Sequence, residues 1–206
     1  MFGLDLPLRA SVAILAASAL LLADYTGLLR WDPSARGVSL ERFVLFGLVP
    51  VAIVVVLFRD DVARYGLRLG DWRWGIGLLA GGMIVMTPII LFLAGTPAFV
   101  HYYGARPLPL ADAIVNNVLE LFPAEFLLRG FLMFALWRRV GPLALVIVQV
   151  PFVFSHIGKP ELELWSTFVG GSVFAWLDWR TGSIVWSAFG HLFVLTLMLV
   201  AVGATS

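Results

Sequence analysis

The chain has 206 residues, 61% of them hydrophobic and 13% charged, with a mean hydropathy of +0.96. Its apolar residues come in blocks too long for a soluble core, which places it in the membrane class. A formal net charge of +1 and the lack of any cysteine exclude a basic nucleic-acid surface, disulfides, thiolate metal sites and cysteine nucleophiles. The expected partners are therefore the lipid bilayer and membrane-anchored protein or peptide segments, with no nucleic acid.

The first apolar block, Leu8 to Leu29, follows Asp5 and carries Arg9 near its start. It is long and no small-x-small cleavage site follows, so it reads as a membrane span rather than a signal peptide. The second, Phe43 to Phe58, is short and interrupted by Pro50. Between Asp60 and Trp74, Arg64, Arg68 and Arg73 alternate with Tyr65, Leu67, Leu69 and Trp72, a pattern that suits either a segment at headgroup level or a solvated loop. The third span, Trp74 to Ala94, ends in a polar, proline-rich loop, Gly95 to Asp112, with His101, Tyr102 and Tyr103 at its centre. Spans four to seven follow as Ala113 to Leu136, Pro142 to Ile157, Leu164 to Trp179 and Ser183 to Val202.

The reading is an all-α membrane protein, about seven transmembrane helices in one bundle and one polytopic domain. Residues 1–112 hold the peripheral spans one to three, and 113–206 the core spans four to seven. Trp31, Trp72, Trp74, Trp137, Trp165 and Trp179 fall near proposed ends, as interfacial aromatic belts do. Arg9, Arg59, Arg64, Arg68, Arg73, Arg138, Arg139 and Arg180 collect on the amino-terminal side, against Arg30, Arg36, Arg42, Arg106 and Lys159 opposite, which points that first side toward the cytoplasm.

An ionisable group at the centre of a membrane helix costs about 2.5 to 3.5 kcal/mol on insertion scales, so each one there demands a partner or a task. Glu120, Glu125, Arg129, His156, Asp178 and His191 are the candidates. Glu125 lies near the middle of span four, with Arg129 one turn later, a spacing that allows an intrahelical ion pair. His156 ends span five and His191 lies in span seven. Two imidazoles and a carboxylate at similar depth can hold and deprotonate a water near neutral pH. They are also a known zinc set, so His156, His191 and Glu125 stand as an alternative metal site that spacing cannot decide. Asp178, Glu161 and Glu163 lie near span ends, where interfacial solvation accounts for them. Glu161, five residues after His156, is a candidate substrate contact.

These residues resemble the CPBP intramembrane proteases, a family that includes the CAAX prenyl endopeptidases and bacteriocin-processing and self-immunity relatives. The resemblance covers roughly Asn116 to Val200. The EExxxR motif, usually followed by glycine, is represented by Ala124-Glu125-Phe126-Leu127-Leu128-Arg129-Gly130. FxxxH matches Phe152 through His156, and the third motif's histidine is His191, led into by Thr181-Gly182-Ser183. The run from His156 to Glu161, with Gly170 and Gly171 downstream, is similar to short bacterial members and implies a bacterial inner (cytoplasmic) membrane.

The resemblance implies a glutamic-type endopeptidase without metal or other cofactor, with active-site residues on spans four, five and seven. Position 124 would carry the general base, His156 would share the water, Glu125 with Arg129 would organise the site and His191 would hold the developing oxyanion. Gly170, Gly171 and Pro151 are candidate points of opening for substrate, or else packing glycines and a kink. Two positions depart from the pattern: the base is Ala124, and Leu195 stands where Asn or Asp is expected. Alanine accepts no proton, so the chain is expected to be slow or inactive, by natural loss or by a deliberate inactivating change. Glu120, one turn before Ala124, is the nearest replacement carboxylate. A naturally inactive member that binds a membrane segment as a scaffold or immunity protein is the alternative, and a proton-coupled transporter a third class.

Overall fold

The computed structural model describes residues 6–105 and 107–205, so Asp5 and Arg106 of the charge pattern lie outside the described residues. Among the described residues eight helices follow in chain order. They are α1 Leu6–Thr26, α2 Ala35–Leu57, α3 Trp72–Ala94, α4 Pro97–Tyr103, α5 over residues 110–140, α6 Leu143–Phe154, α7 Glu161–Thr181 and α8 Val185–Ala201. The chain is an all-α membrane protein. Leu8–Thr26, Ala35–Leu57 and Trp72–Ala94 are long and apolar enough to cross a bilayer, whereas α6 is shorter than about 30 Å of hydrocarbon requires.

Local chemistry explains where the elements depart from the sequence reading. Helix α2 starts at Ala35 rather than Phe43, capped by the Ser34 side chain, which accepts from the Gly37 amide. Its first turns carry Arg36, Glu41 and Arg42, charges that hide the helix from a hydropathy reading because they are paired within the fold. Pro50 does not interrupt it: the flanking turns Phe43–Leu48 and Ile53–Leu57 widen to π-helix, and the chain continues. The loop expected from Gly95 to Asp112 contains α4, which starts at Pro97 where a missing amide hydrogen is tolerated. The Asp60–Trp74 segment is not a continuous helix, and α3 takes over its last residues from Trp72. The segment holds one 3₁₀ turn, Val62–Tyr65, whose Tyr65 is fully buried.

Helix α5 is the hub. Helices α1, α2 and α8 pack along it, and α3 packs in turn on α8. Ala10, Ala13 and Ala17 form the buried stripe of α1, and their small side chains let it lie close against α5, while Leu15 and Leu22 are exposed to the lipid side. Val54, Phe58, Leu127, Phe131 and Met133 fill the core between α2 and α5. On α3, Ile84 and Phe92 are largely exposed, the outward apolar surface that a bilayer covers. Trp31, Trp72, Trp74 and Trp165 are likewise exposed, and Trp137 packs on Trp179 with ring centroids 5.3 Å apart.

Charge clusters lock this packing at both ends of α5. Near its start, Arg36 pairs with Asp112 at 2.9 Å, and Arg42 bridges Glu120 at 2.6 Å and Asp24 of α1 at 2.9 Å. Near its end, Asp60 receives Arg138 at 2.7 Å, Arg9 at 2.9 Å and Arg64 at 3.2 Å. Burial alone would raise the Asp60 carboxyl, but hydrogen bonds from Arg138 and the Asp61 amide outweigh it and hold the group below its ordinary value. Lowering of a folded-state carboxyl contributes stability above the unfolded value near 3.8, and that contribution is lost as pH falls through the lower folded value. Asp60→Asn is therefore expected to lose about 1.5 to 3 kcal/mol at pH 7. The gap to the parent, read by thermal unfolding in detergent, should close at acid pH.

Candidate active site

Three helices and one turn bring the site together. Helix α5 carries Glu125 at the end of its segment Leu110–Glu125 and Arg129 within the π-helical stretch Phe126–Met133. Pro123, inside the helix, has no amide to donate to the preceding turn, and the widened stretch follows directly. Gly130 is required by close approach, because a Cβ there would lie 2.8 Å from the Tyr65 carbonyl oxygen. The 3₁₀ turn thus presses against the helix immediately beside Arg129.

Glu125 and Arg129 are each 1% exposed and form a direct ion pair through Glu125 Oε2 and Arg129 Nη1. The other carboxylate oxygen, Oε1, lies 2.7 Å from His191 Nδ1 on α8. A carboxylate can only accept, so His191 carries its proton on Nδ1 and leaves Nε2 with a free lone pair. Arg129 is sandwiched by aromatic rings, with its guanidinium carbon 4.1 Å from the Phe152 centroid on α6 and 5.5 Å from that of Phe174 on α7.

His156 is not in a helix. Helix α6 ends at Phe154, and His156 occupies the turn that follows, 8% exposed. Its Nδ1 donates to the Phe152 carbonyl at 2.8 Å, so here too Nε2 is the free nitrogen. The two imidazoles lie nearly parallel, 16° apart, with centroids separated by 6.4 Å. Gly171 fixes this arrangement from α7: a Cβ there would overlap Gln149 Oε1 and meet the Phe152 ring at 2.6 Å. It is a packing glycine, whereas Gly170 faces open space.

Asp178 is the main correction to the sequence reading. It is not solvated at an interface but completely buried, and Ser187 of α8 donates to its Oδ2 at 2.9 Å while lying 3.4 Å from Glu125 Oε2. Ser187, which the sequence reading passed over, stands between two buried carboxylates. Its only signal in the sequence is its place four residues before His191, one helical turn away on the same face.

Other expected site residues lie elsewhere. Glu120 turns toward α2, where Ser39 donates to it at 2.7 Å and Arg42 pairs with it, so it is committed away from Ala124. Glu161 is exposed at the start of α7, and Glu163 accepts from Tyr103 at 2.7 Å and pairs with Lys159 at 2.8 Å. Ala124 is half-buried against the core, and half-buried Leu195 adjoins Thr196, which accepts from Asn117 at 3.2 Å. Among the described residues, no three His, Asp or Glu side chains are grouped as ligands of a metal ion would be.

The fold and this cluster define a helical membrane protein whose catalytic-type side chains sit inside the bundle rather than on its surface. Residues 106–197 match the family model of the type II CAAX prenyl endopeptidases, described as Rce1-like. Over that stretch, somewhat less than half of the chain, it is similar to the type II CAAX prenyl endopeptidases. No curated protein and no solved structure matches the chain.

The ion pair can be tested directly. Arg129→Met should lose about 3 to 5 kcal/mol by leaving Glu125 buried and uncompensated. The double change Glu125→Met with Arg129→Met should recover most of that loss, as a double-mutant cycle of unfolding in detergent would show.

Proposed function

We propose that the chain is an intramembrane endopeptidase that cleaves the C-terminal tails of membrane-anchored proteins or peptides in a bacterial cytoplasmic membrane. The observation that carries the reading is the contact of Glu125 with both Arg129 and His191, inside the stretch that matches the CAAX endopeptidases and beside a second imidazole.

In this reading the carboxylate of a glutamate at position 124 takes a proton from water, and His156 holds that water through Nε2. The hydroxide oxygen bonds to the scissile carbonyl carbon, and the carbonyl electron pair moves onto oxygen. His191 faces the resulting oxyanion in this reading, a role that requires a hydrogen on Nε2 in addition to the one on Nδ1. Glu125 orients the His191 ring, and Arg129 keeps the interior charge paired. Collapse of the tetrahedral species breaks the carbon–nitrogen bond, and the leaving amine takes up the transferred proton. Water and side chains suffice for every step.

With Ala124 the first proton acceptor is missing, and with Leu195 one oxyanion donor is missing. Those two positions favour the second reading, a family member that binds a membrane segment as a scaffold or immunity protein without cutting it. Cleavage of a library of membrane-anchored C-terminal peptides by the chain and by Ala124→Glu separates the two. Ala124→Glu is expected to raise the rate by about 10² to 10⁴, the usual worth of a positioned general base. Addition of 1,10-phenanthroline should leave that rate unchanged. Silence of both forms, with retained binding of a membrane-anchored tail, would establish the binding protein.

A further inference from the structure

Resting on the peptidase reading, we propose that His191 is the general base of the chain as it stands with Ala124, oriented by Glu125 as a positioning residue. The geometry carries this. His191 Nδ1 is tied to the Glu125 carboxylate at 2.7 Å, so the tautomer is fixed and Nε2, on the far edge of the ring, is the proton acceptor. The carboxylate is itself held by the ion pair of its Oε2 with Arg129, and the Ser187 hydroxyl oxygen lies 3.4 Å from the same Oε2. Ser187 is in turn bonded to the fully buried Asp178 at 2.9 Å.

Exposure follows the same order along the chain of contacts. Asp178, Ser187 and Glu125 are sealed, at 0%, 0% and 1%, while the His191 side chain is 15% exposed. The imidazole is the outermost member of this chain of contacts. A positioned carboxylate, an imidazole with a free nitrogen and a neighbouring parallel imidazole are the parts of a base-catalysed hydrolysis, and none of them is Ala124.

The step balances without further reagents. Water gives a proton to His191 Nε2, its oxygen bonds to the scissile carbonyl carbon, and the carbonyl electron pair moves to oxygen. When that pair returns, the carbon–nitrogen bond breaks and the leaving amine takes the proton from Nε2, restoring the neutral ring. Glu125 remains a carboxylate throughout and stabilises the transient imidazolium.

The role differs from oxyanion binding in a way that glutamine can separate. A glutamine amide still donates a hydrogen bond but accepts no proton near neutral pH. His191→Gln is therefore made in the Ala124 chain and in the Ala124→Glu background, and cleavage of a membrane-anchored tail peptide is measured for all four proteins. The expected result is a loss of about 10² or more in the Ala124 chain and a loss below about tenfold in the Ala124→Glu background, where the introduced carboxylate supplies the base. Glu125→Gln in the Ala124 chain should lower kcat while leaving KM unchanged, since it acts on ring orientation and not on substrate.

Equal losses in the two backgrounds would overturn the proposal. So would an Ala124 chain with no hydrolysis beside an active Ala124→Glu form, a result that leaves the peptidase reading standing. Silence of both forms would overturn the peptidase reading and the base assignment with it. Should His191→Gln fail to fold, judged by its thermal unfolding, His191→Asn supplies the same comparison with a shorter amide.

Discussion

The buried pair of Glu125 and Arg129 is the constraint around which the rest of the molecule is arranged. Two charges held at 1% exposure inside a helical bundle must satisfy each other and every remaining polar atom, or the helix that carries them does not insert. The neighbours answer part of that demand, since Arg129 Nε and Nη2 have no hydrogen-bond partner among the described residues. Helix α8 supplies His191 and Ser187 to the carboxylate, and α6 and α7 supply the Phe152 and Phe174 rings to the guanidinium. Four helices thus converge because one of them carries a charge pair that no lipid can solvate. The apolar packing around it then follows the usual logic of close-fitting small and large side chains.

Precision at this pair depends on features that local propensity would count as defects. Pro123 sits inside the longest helix, a π-helical stretch follows it, and Gly130 lies one residue beyond Arg129. Each has a use. The widened backbone accommodates the proline, and the glycine lets the Tyr65 carbonyl press against α5. The 3₁₀ turn that delivers Tyr65 is tethered by Asp60, which gathers Arg9, Arg64 and Arg138 beside it. Ion pairs reaching α5 from α1 and from the segment after α2 therefore hold this turn in place.

Helices with long apolar cores were legible from composition: α1 and α3 lie within three residues of the blocks expected for them. Paired charges were not legible. The first turns of α2 read as polar linker because Arg36, Glu41 and Arg42 find partners only when α1, α2 and α5 are assembled. The same long-range pairing hid Asp178. Trp179 and Arg180 beside it spell an interface, but its partner Ser187 lies on the next helix, across the turn Thr181–Gly182–Ser183, whose glycine adopts the left-handed conformation. Glu125 and Arg129 could be paired from their spacing alone because both lie on one helix. The contact with His191 joins two helices 66 positions apart, and no local rule reaches that far.

Charge balance gives the alanine at 124 a structural meaning as well as a chemical one. Around one guanidinium the bundle already seals two carboxylates, Glu125 and Asp178, bridged by a single serine hydroxyl with one proton to give. Asp178 Oδ1 and, on the guanidinium, Arg129 Nε and Nη2 have no hydrogen-bond partner among the described residues. A glutamate at 124 would add a third carboxyl group, on the same turn of α5 as Glu125. Low dielectric makes that addition expensive unless water enters or a proton is taken up. An alanine there adds no charge, and His191 is the most exposed member of this network. The alanine that removes one proton acceptor therefore coexists with an intact contact between Glu125 and His191.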